Sequence, residues 1–255
     1  MILAHKKCYP SCKSLRDEIQ RMSGIKLMIT DNPEVILKKG KKLHLRYGNS
    51  EYFSGKDTIY NRPEAIRISA NKQAFARKAE EHNILVPKLI TFRHKMPKKE
   101  DFPIIIRKKI QGKSGEGIVG VYEDIDSIPK HLLSYYWAKF YRLSWELRVH
   151  VFEGQVFRVF SKKLLENTKY PIRLDRNTHF SLINHREDFS RGKYKGLIDG
   201  VDSIAKNVLR AGFFVLDCGW CPETKSYLYL ESGTAPGLNE NSARMYAERL
   251  IERIF

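Results

Sequence analysis

Long apolar runs are missing from this sequence. Nowhere do apolar residues approach the stretch of about eighteen that a membrane-spanning helix requires. The segment from Met1 to Lys7 has its lysines after a very short apolar run, which is the reverse of a secretory signal. The sequence also lacks internal repeats and low-complexity tracts. We therefore expect a cytoplasmic protein with no membrane partner.

Acidic residues are also in short supply. The 255 residues include 29 aspartates and glutamates against 46 lysines and arginines, which gives a formal net charge of +17. Such a surface attracts polyanions through counterion release, so nucleic acid or an acidic polypeptide is one interpretation of the charge. A solvated basic surface without such a partner is the other, and the sequence contains no recognisable nucleic-acid-binding motif. The basic clusters are Lys38–Lys42, Lys95–Lys99, Arg107–Lys113 and Arg186–Lys195.

The length and the apolar content indicate one compact α+β body. Hydrophobic residues make up 42% of the chain, which is enough for a core. A chain of 255 residues is long for one domain but too short for two independent ones. Residues 1–70 alternate strand and helix, residues 71–135 add a helix and a mainly antiparallel sheet, and residues 136–255 add a second sheet with two helices. In the first of these segments we predict strands near residues 2–5, 25–30 and 42–47.

Two carboxylates near the C-terminal end of the sequence stand where paired strands would bring them together. Asp217 and Glu231 each end a short apolar run, and the polar, proline-containing stretch Cys221–Ser226 between them is typical of a hairpin turn. Folding the hairpin about Thr224 sets the two carboxylates directly opposite one another, with Cβ atoms roughly 5 Å apart. Such oxyanions repel unless a proton or a cation lies between them. Oxygen-only ligands favour Mg²⁺ or Mn²⁺ over zinc. Two solvated carboxylates at strand ends are the alternative.

The four cysteines fit that hairpin as structural thiols. The same register pairs Cys218 with Leu230 and Trp220 with Leu228 on the other face of the sheet. A four-thiolate zinc site would need the Cys218–Cys221 pair to meet Cys8 and Cys12. Because the register turns Cys218 toward the core, where free cysteine behaves as a small hydrophobe, we predict reduced thiols rather than zinc or redox chemistry.

A glycine-rich segment follows an apolar strand in the first half of the sequence. We predict a strand at residues 103–110, a loop at Gln111–Gly117 and a second strand at Ile118–Tyr122. A loop with three glycines can fold its backbone N–H groups over phosphates. It is not a Walker A loop, because Arg107 stands where the leading glycine is required. Nor is it a dinucleotide fingerprint, because a strand follows it and not a helix. A flexible hairpin tip is the alternative.

Taken in order, these segments resemble the ATP-grasp superfamily of carboxylate–amine and carboxylate–thiol ligases. The resemblance covers about Leu43 to Phe255. Its motifs are Asn71-Lys72 as the first nucleotide lysine, Ile84–Pro87, Pro103–Gly117 as the nucleotide strand and phosphate loop, Tyr136–Tyr141 as the adenine linker, and Glu146–Val151 as the strand whose arginine contacts the terminal phosphate. Asp217 and Glu231, fourteen residues apart, match the family's metal-binding acids.

A narrower resemblance is to small phage-encoded ATP-grasp proteins. Leu45–Asn49, Asn61–Ile66 and Ser161–Lys163 carry it, and those proteins are similar to glutamate ligases that modify a ribosomal protein. Under that interpretation the protein acts in the cytoplasm of a bacterial host.

The sequence departs from the family pattern at three points. Gly233 stands where the family usually has an asparagine ligand, so a second Mg²⁺ lacks a side chain unless Ser232, Asn239 or Asn241 supplies one. Arg107 replaces the commoner lysine, and its planar fork contacts phosphate differently from a compact ammonium. The family's "R-N" pair corresponds either to Arg173 or to Arg176-Asn177.

The resemblance implies an α+β ATP-grasp fold. We expect a short Rossmann-like N-terminal region (1–70), then a small lobe with the glycine-rich phosphate loop (71–135) and a large lobe with the metal site (136–255), the two lobes sandwiching ATP. The implied site residues are catalytic Arg148, Lys163 and Arg173; nucleotide-binding Lys72, Arg107, Gly112, Lys113, Ser114, Gly115, Gly117, Lys139 and Phe140; and metal-binding Asp217 and Glu231.

The implied activity is ATP- and Mg²⁺-dependent (or Mn²⁺-dependent) formation of an amide through an acyl phosphate. Neither the carboxylate nor the amine substrate can be named from the sequence, and the acceptor is a small molecule or a polyanionic macromolecule. Two alternatives stay open. One is an ATP-grasp kinase that phosphorylates a hydroxyl. The other is a degenerate ATP-grasp protein that binds nucleic acid, which Gly233 and the positive charge suggest.

Overall fold

The structure is a computed structural model that describes residues 2–5, 9–32, 43–50, 60–110, 117–164, 178–183 and 194–254. Three sheets and five helices organise these residues. The helices are α1 (Tyr9–Ser23), α2 (Pro63–Ala70), α3 (Lys72–Glu80), α4 (Lys195–Ser203), which a π-helical segment continues through Ile204–Leu209, and α5 (Glu240–Ile254). None of the helices in these ranges is both long enough and apolar enough to cross a membrane.

The N-terminal sheet has three parallel strands in the order β2-β1-β3. The strands are β1 (Ile2–His5), β2 (Met28–Thr30) and β3 (Leu43–Tyr47), close to the three strands that the sequence predicts. Helix α1 packs against α5, and the two helices bury a shared set of apolar side chains. That set is Cys12, Leu15 and Ile19 from α1 with Tyr246, Ala247 and Leu250 from α5.

Among the described residues, hydrogen bonds tie the N-terminal region to the C-terminal segments. The Tyr47 hydroxyl donates to the Pro236 carbonyl, and the Leu238 amide donates to Ser11 Oγ at 3.1 Å. The Phe213 amide donates to Asn61 Oδ1, also at 3.1 Å. The turn that follows Glu231 is therefore held from both β3 and α1.

A four-stranded antiparallel sheet with its own core forms the middle of the chain. Its order is β4-β7-β5-β6, and its buried residues include Ile104, Ile106 and Trp137. The strands are β4 (Ile90–Thr91), β5 (Ile104–Arg107), β6 (Ile118–Tyr122) and β7 (Tyr136–Lys139). This sheet therefore continues four residues beyond the predicted lobe boundary at 135.

The largest sheet has five antiparallel strands in the order β10-β9-β8-β11-β12. They are β8 (Trp145–Phe152), β9 (Gln155–Leu164), β10 (Thr178–Leu182), β11 (Phe213–Cys221) and β12 (Ser226–Gly233). Side chains alternate between the two faces of a strand, so each face has its own character. One face buries Leu147, Val149 and Leu216 against α2, α3 and α4. The other face carries the charged residues described below. Since α3 packs on this sheet, it shares a core with the large lobe rather than with the four-stranded sheet.

Candidate active site

The hairpin of β11 and β12 places Asp217 directly opposite Glu231, as the sequence predicts. The rest of the predicted register is wrong by one residue: Cys218 pairs with Tyr229, and Trp220 pairs with Tyr227. The turn is centred between Glu223 and Thr224 and not on Thr224. A bulge next to Asp217 then shifts the pairing back by one residue. The two deviations cancel at the carboxylates, which therefore do meet.

Asp217 lies between two cations on the charged face. Arg148 stands opposite it on β8 and donates twice, from Nε to Oδ1 and from Nη2 to Oδ2, each at 2.8 Å. Lys162 Nζ donates to Oδ2 at 2.9 Å. Burial alone would raise the pKa of Asp217, but Arg148 and Lys162 hold that pKa well below its ordinary value. Burial likewise favours a lower pKa for Lys162, which the charges of Asp217 and Glu146 more than offset. The centre of the site is therefore an ionised triad in which Asp217 and Lys162 are buried and Arg148 is partly exposed.

Glu231 pairs with a different cation. Lys72 Nζ contacts Glu231 Oε2, and the Glu231 side chain is 35% exposed. Lys72 is the first residue of α3, and Asn71 caps that helix by accepting from the amides of Gln73 and Ala74 at 3.0 and 3.1 Å. The cap fixes where the helix begins, and so fixes the base of the Lys72 side chain.

Arg107 and Lys139 bring the four-stranded sheet into the site. Burial lowers the pKa of Arg107, and the charge of Glu231 partly offsets that effect. Lys139, at the end of β7, forms an ion pair with Glu223 in the turn of the β11–β12 hairpin. The Phe140 amide donates to the Pro103 carbonyl at 2.7 Å. Two cations of this sheet thus face opposite ends of one hairpin.

The structure does not bring Lys163 to this group, although the sequence assigns it a catalytic role. In β9 it is Lys162 that lies opposite Glu146, while Phe160 lies opposite Arg148. Alternation therefore puts Lys162 on the charged face, and Lys163 is exposed on the other. Sequence reasoning missed Lys162. The available signal was the register of the β8–β9 hairpin, which pairs Lys162 with the glutamate of the E-x-R motif.

Five of the sequence-assigned residues lie outside the described residues: Gly112, Lys113, Ser114, Gly115 and Arg173. Gly117, at the end of the loop, is described and has φ +85°, a conformation that favours glycine. Its carbonyl accepts from the Lys108 amide at 2.7 Å, which closes the base of the loop.

The cysteines and His150 have structural environments. Cys218 and Cys221 are free and buried, as predicted, Cys12 is also buried, and burial raises the pKa of the Cys218 thiol. Cys8 lies outside the described residues. His150 Nδ1 is 3.0 Å from the Tyr246 hydroxyl, and burial lowers the pKa of His150 to about 3. The imidazole is therefore neutral at ordinary pH and already has a partner.

The donor set on the charged face fits one oxygen-ligated divalent cation. Asp217 and Glu231 supply two opposed carboxylates, and in the part of the chain that the structure describes no group of three or more histidine, cysteine or acidic side chains could hold a metal. Ser232 lies opposite Leu216, whose side chain belongs to the core on the other face. Asn239 Oδ1 accepts from the Ser242 amide at 2.9 Å as a helix cap, and Asn241 is exposed. Ser232 and Asn239 therefore have other environments in this structure, and Gly233 itself supplies no side chain.

No family model matches the chain, and no curated protein matches it. Solved structures do match. D-alanine–D-alanine ligase from Bacillus anthracis complexed with ATP has a TM-score of 0.65 at 13% identity, over 98% of this chain and 90% of that one. The ATP-grasp ligase PsnB complexed with minimal precursor, Mg and ADP has a TM-score of 0.67 at 10% identity, over 98% and 96%. The macrocyclase MdnC from Microcystis aeruginosa MRC bound with precursor peptide MdnA has a TM-score of 0.62 at 12% identity, over 98% of both chains. Likeness at such low identity bears on the fold alone, and it identifies the fold of this chain as the α+β ATP-grasp fold.

Proposed function

We propose that this protein is an ATP-dependent carboxylate–amine ligase that works through an acyl phosphate. One observation carries the proposal: Asp217 and Glu231 face each other on a surface that also holds Arg148, Lys162 and Lys72. Opposed carboxylates ringed by cations suit the triphosphate of a nucleotide and the divalent cation that accompanies it. The ATP-grasp fold supports the same assignment, because matching structures are described as complexes with ATP or with Mg and ADP.

The proposed nucleotide lies along the β11–β12 hairpin. Its triphosphate would lie at the end marked by Asp217 and Glu231, within reach of Lys72 and Arg107. Its base would lie near Lys139 and Phe140, beside the hairpin turn. Asp217 and Cys221 are four residues apart on β11, which corresponds to roughly 14 Å at the rise of a strand. That separation suits an extended nucleoside triphosphate.

Arg148 is the residue we assign to the transferred phosphoryl group. Its guanidinium already forms a bidentate pair with one carboxylate, so it has the planar geometry that phosphate oxygens also accept. We expect it to turn from Asp217 to the γ-phosphate when the nucleotide binds. Lys162, whose side chain is only 3% exposed, would stay on Asp217 and keep that carboxylate ionised. A bound Mg²⁺ would offset charge on the β- and γ-phosphates.

The proposed chemistry has two steps. A substrate carboxylate oxygen attacks the γ-phosphorus, the bond to the β-bridging oxygen breaks, and ADP leaves with the negative charge. An amine then attacks the acyl carbon, phosphate leaves, and the amine proton passes to phosphate or water. A protein general base is not required, which agrees with a neutral, buried His150. Positioning and electrostatics would supply the rate.

For the substrates we propose a chemical class and not an identity. MdnC is described bound with a precursor peptide and PsnB with a minimal precursor, so a peptide is one kind of macromolecular acceptor to test. The narrower resemblance to phage-encoded proteins near ribosomal-protein glutamate ligases suggests a second peptide acceptor of the same chemical kind.

Hydroxylamine trapping tests the proposal without a known amine. The protein would be incubated with Mg²⁺-ATP, hydroxylamine and pools of carboxylates, including acidic peptides. A ligase yields hydroxamates, detected by mass spectrometry, together with one phosphate per hydroxamate. A phosphoester with no free phosphate would identify a kinase instead. ATP binding without turnover for every pool, together with salt-sensitive binding to nucleic acid, would favour a degenerate binding protein.

A further inference from the structure

The two carboxylate oxygens of Asp217 accept different numbers of hydrogen bonds from Arg148 and Lys162. Lys162 Nζ and Arg148 Nη2 both donate to Oδ2, whereas Oδ1 receives Arg148 Nε. Lys162 is buried and lies 3.9 Å from Glu146 as well, so it has counter-charges on two sides. Removing it from Asp217 would leave a buried carboxylate without its partner. When Arg148 turns to phosphate, Oδ1 becomes the oxygen that Asp217 can offer to a metal.

Glu231 is shared in a similar way. Its Oε2 contacts the Lys72 ammonium, and Lys72 is 16% exposed at the start of a capped helix. A glutamate that bridges two metal ions needs both oxygens free for metal. In this structure Glu231 Oε2 already contacts the Lys72 ammonium. An ammonium is a compact point charge, so it can occupy the space of a metal ion, which a planar guanidinium cannot.

Gly233 has no side chain, so this position supplies no ligand to a second metal ion. Gly233 lies opposite Val215, two residues along β12 from Glu231, and so lies on the same face as both carboxylates. A Cβ at this position would be 3.3 Å from Val215 Cγ2, so a β-carbon is accommodated if Val215 shifts by a few tenths of an ångström. The polar residues nearby do not compensate, because Ser232 faces the core and Asn239 caps α5.

We infer that this site binds a single divalent cation with its nucleotide, and that the Lys72 ammonium supplies the positive charge that a second cation would bring. The inference rests on the proposed function, because it assumes that nucleotide binds at this face. It gives Lys72 a role beyond contacting phosphate. It also makes Gly233 the position that sets the number of metal ions.

Counting bound Mn²⁺ tests this inference on the full chain. The protein is saturated with a non-hydrolysable ATP analogue, nucleotide binding is measured by calorimetry, and free Mn²⁺ is followed by electron paramagnetic resonance. One Mn²⁺ per bound nucleotide is expected. Two per nucleotide would overturn the inference and leave the proposed function standing. Nucleotide binding with no Mn²⁺, or no nucleotide binding at all, would overturn both.

Substitutions at position 233 test whether the missing side-chain ligand is the reason that only one Mn²⁺ binds per nucleotide. Gly233→Asn should raise the count to two Mn²⁺ per nucleotide, whereas Gly233→Leu, with a side chain of similar shape but no donor, should keep it at one. Combining Gly233→Asn with Lys72→Met should tighten the second Mn²⁺ several-fold relative to Gly233→Asn alone, because Glu231 Oε2 is freed. A count of one in Gly233→Asn would contradict the role given to Gly233. The wild-type count decides the inference even if a variant fails to fold.

Discussion

Asp217 is the residue on which the charged face depends. It is 5% exposed and is held by a bidentate arginine and a buried lysine. Breaking a buried ion pair from one side costs about 3–5 kcal/mol, because the remaining charges lose their counter-ion. Glu231 is more exposed than Asp217, and its pair with Lys72 is only partly buried, so we expect that pair to contribute less to stability than the buried pairs of Asp217. The two carboxylates therefore contribute differently to the free energy of unfolding, although both are proposed to bind the same metal ion.

Asp217→Asn and Glu231→Gln should both abolish ATP turnover, because each removes a charged metal ligand. Asp217→Asn should also lower the free energy of unfolding by about 3 kcal/mol or more, since Arg148 and Lys162 lose their shared counter-ion. Glu231→Gln should lower it by less than Asp217→Asn does, because the Lys72–Glu231 pair is only partly buried. Urea unfolding and phosphate release measure the two effects. Wild-type turnover in both variants would refute the metal assignment.

Neighbouring lysines on β9 provide a matched pair for a second prediction. Lys162→Met should reduce kcat strongly and destabilise the fold, because Asp217 loses a buried cation. Lys163→Met should leave both close to wild type, since that side chain is exposed on the opposite face. Steady-state kinetics and thermal unfolding are the measurements. The reverse pattern would restore the catalytic role that the sequence assigns to Lys163.

His150 should make stability depend on pH in a defined window. Burial is the main cause of its low pKa, Arg148 and Arg158 lower that pKa further, and Asp217 opposes them. With a folded pKa near 3 and an unfolded pKa of about 6.5, the unfolded state binds more protons between these values. The contribution of His150 is therefore complete above about pH 6.5 and is lost as the pH falls toward 3.

The expected slope from His150 is at most about 1.4 kcal/mol per pH unit between pH 6.5 and 4.5. His150→Gln cannot titrate, so the slope in that variant should be smaller by this amount. Urea unfolding at several pH values measures it. Equal slopes in both proteins would mean that His150 binds protons over the same pH range in the folded and the unfolded state, which would contradict its low folded pKa.

At the scale of elements, bulges decide which side chains share the charged face. The β11–β12 hairpin has one next to Asp217, and the β8–β9 pair has another between His150 and Val151. Alternation and turn residues predict the β11–β12 hairpin and the opposition of Asp217 and Glu231. They did not predict the bulges, because a single extra residue depends on tertiary packing and leaves no clear composition signal. The predicted partner of Cys218 is therefore wrong by one residue. The assignment of Lys163 comes instead from the family resemblance, which does not give the register of β9 against β8.

The cap of α3 offers a prediction at the level of one element. Asn71→Ala should destabilise the protein by about 1 kcal/mol, because two amides at the start of the helix lose their acceptor. It should also weaken nucleotide binding, because fraying of the first turn displaces Lys72. Asn71→Asp keeps an acceptor and should retain both properties. Thermal unfolding and nucleotide titration provide the comparison, and unchanged nucleotide affinity in Asn71→Ala would disconnect the cap from the site.

Across the whole molecule, the sequence predicted the ATP-grasp fold more reliably than it predicted how the elements group. The order of motifs from Asn71 to Glu231 is enough to recognise the fold. It does not reveal that α3 packs under the five-stranded sheet, because the apolar face of an amphipathic helix fits either sheet equally well. The predicted lobe boundary at residue 135 likewise falls just before β7. That strand pairs with β4 and β5, which precede the boundary, so β7 belongs to the four-stranded sheet.

The net charge of the molecule yields the last prediction. If the acceptor is a polyanion, replacing Lys95, Lys98 and Lys99 by glutamine should reduce the slope of log affinity against log salt by about one unit per lost phosphate contact. Lys95 and Lys98 each lie 3.9 Å from an acid of the same loop, Asp101 and Glu100 respectively, so the effect of the cluster is partly offset. ATP affinity should not change. Fluorescence anisotropy with nucleic acid measures the slope, and equal weak curves would indicate a small-molecule acceptor.

The packing of α1 on α5 has a consequence for how the protein is made. Ser23, at the end of α1, precedes Glu240, at the start of α5, by 217 residues. At a translation rate of about 5–20 residues per second, the ribosome takes roughly 10–40 s to synthesise that interval. During this time Cys12, Leu15 and Ile19 have not yet met the helix that covers them. Helix α1 of the nascent chain is therefore a natural client for chaperones, and the core that it shares with α5 closes only after the site residues have been synthesised.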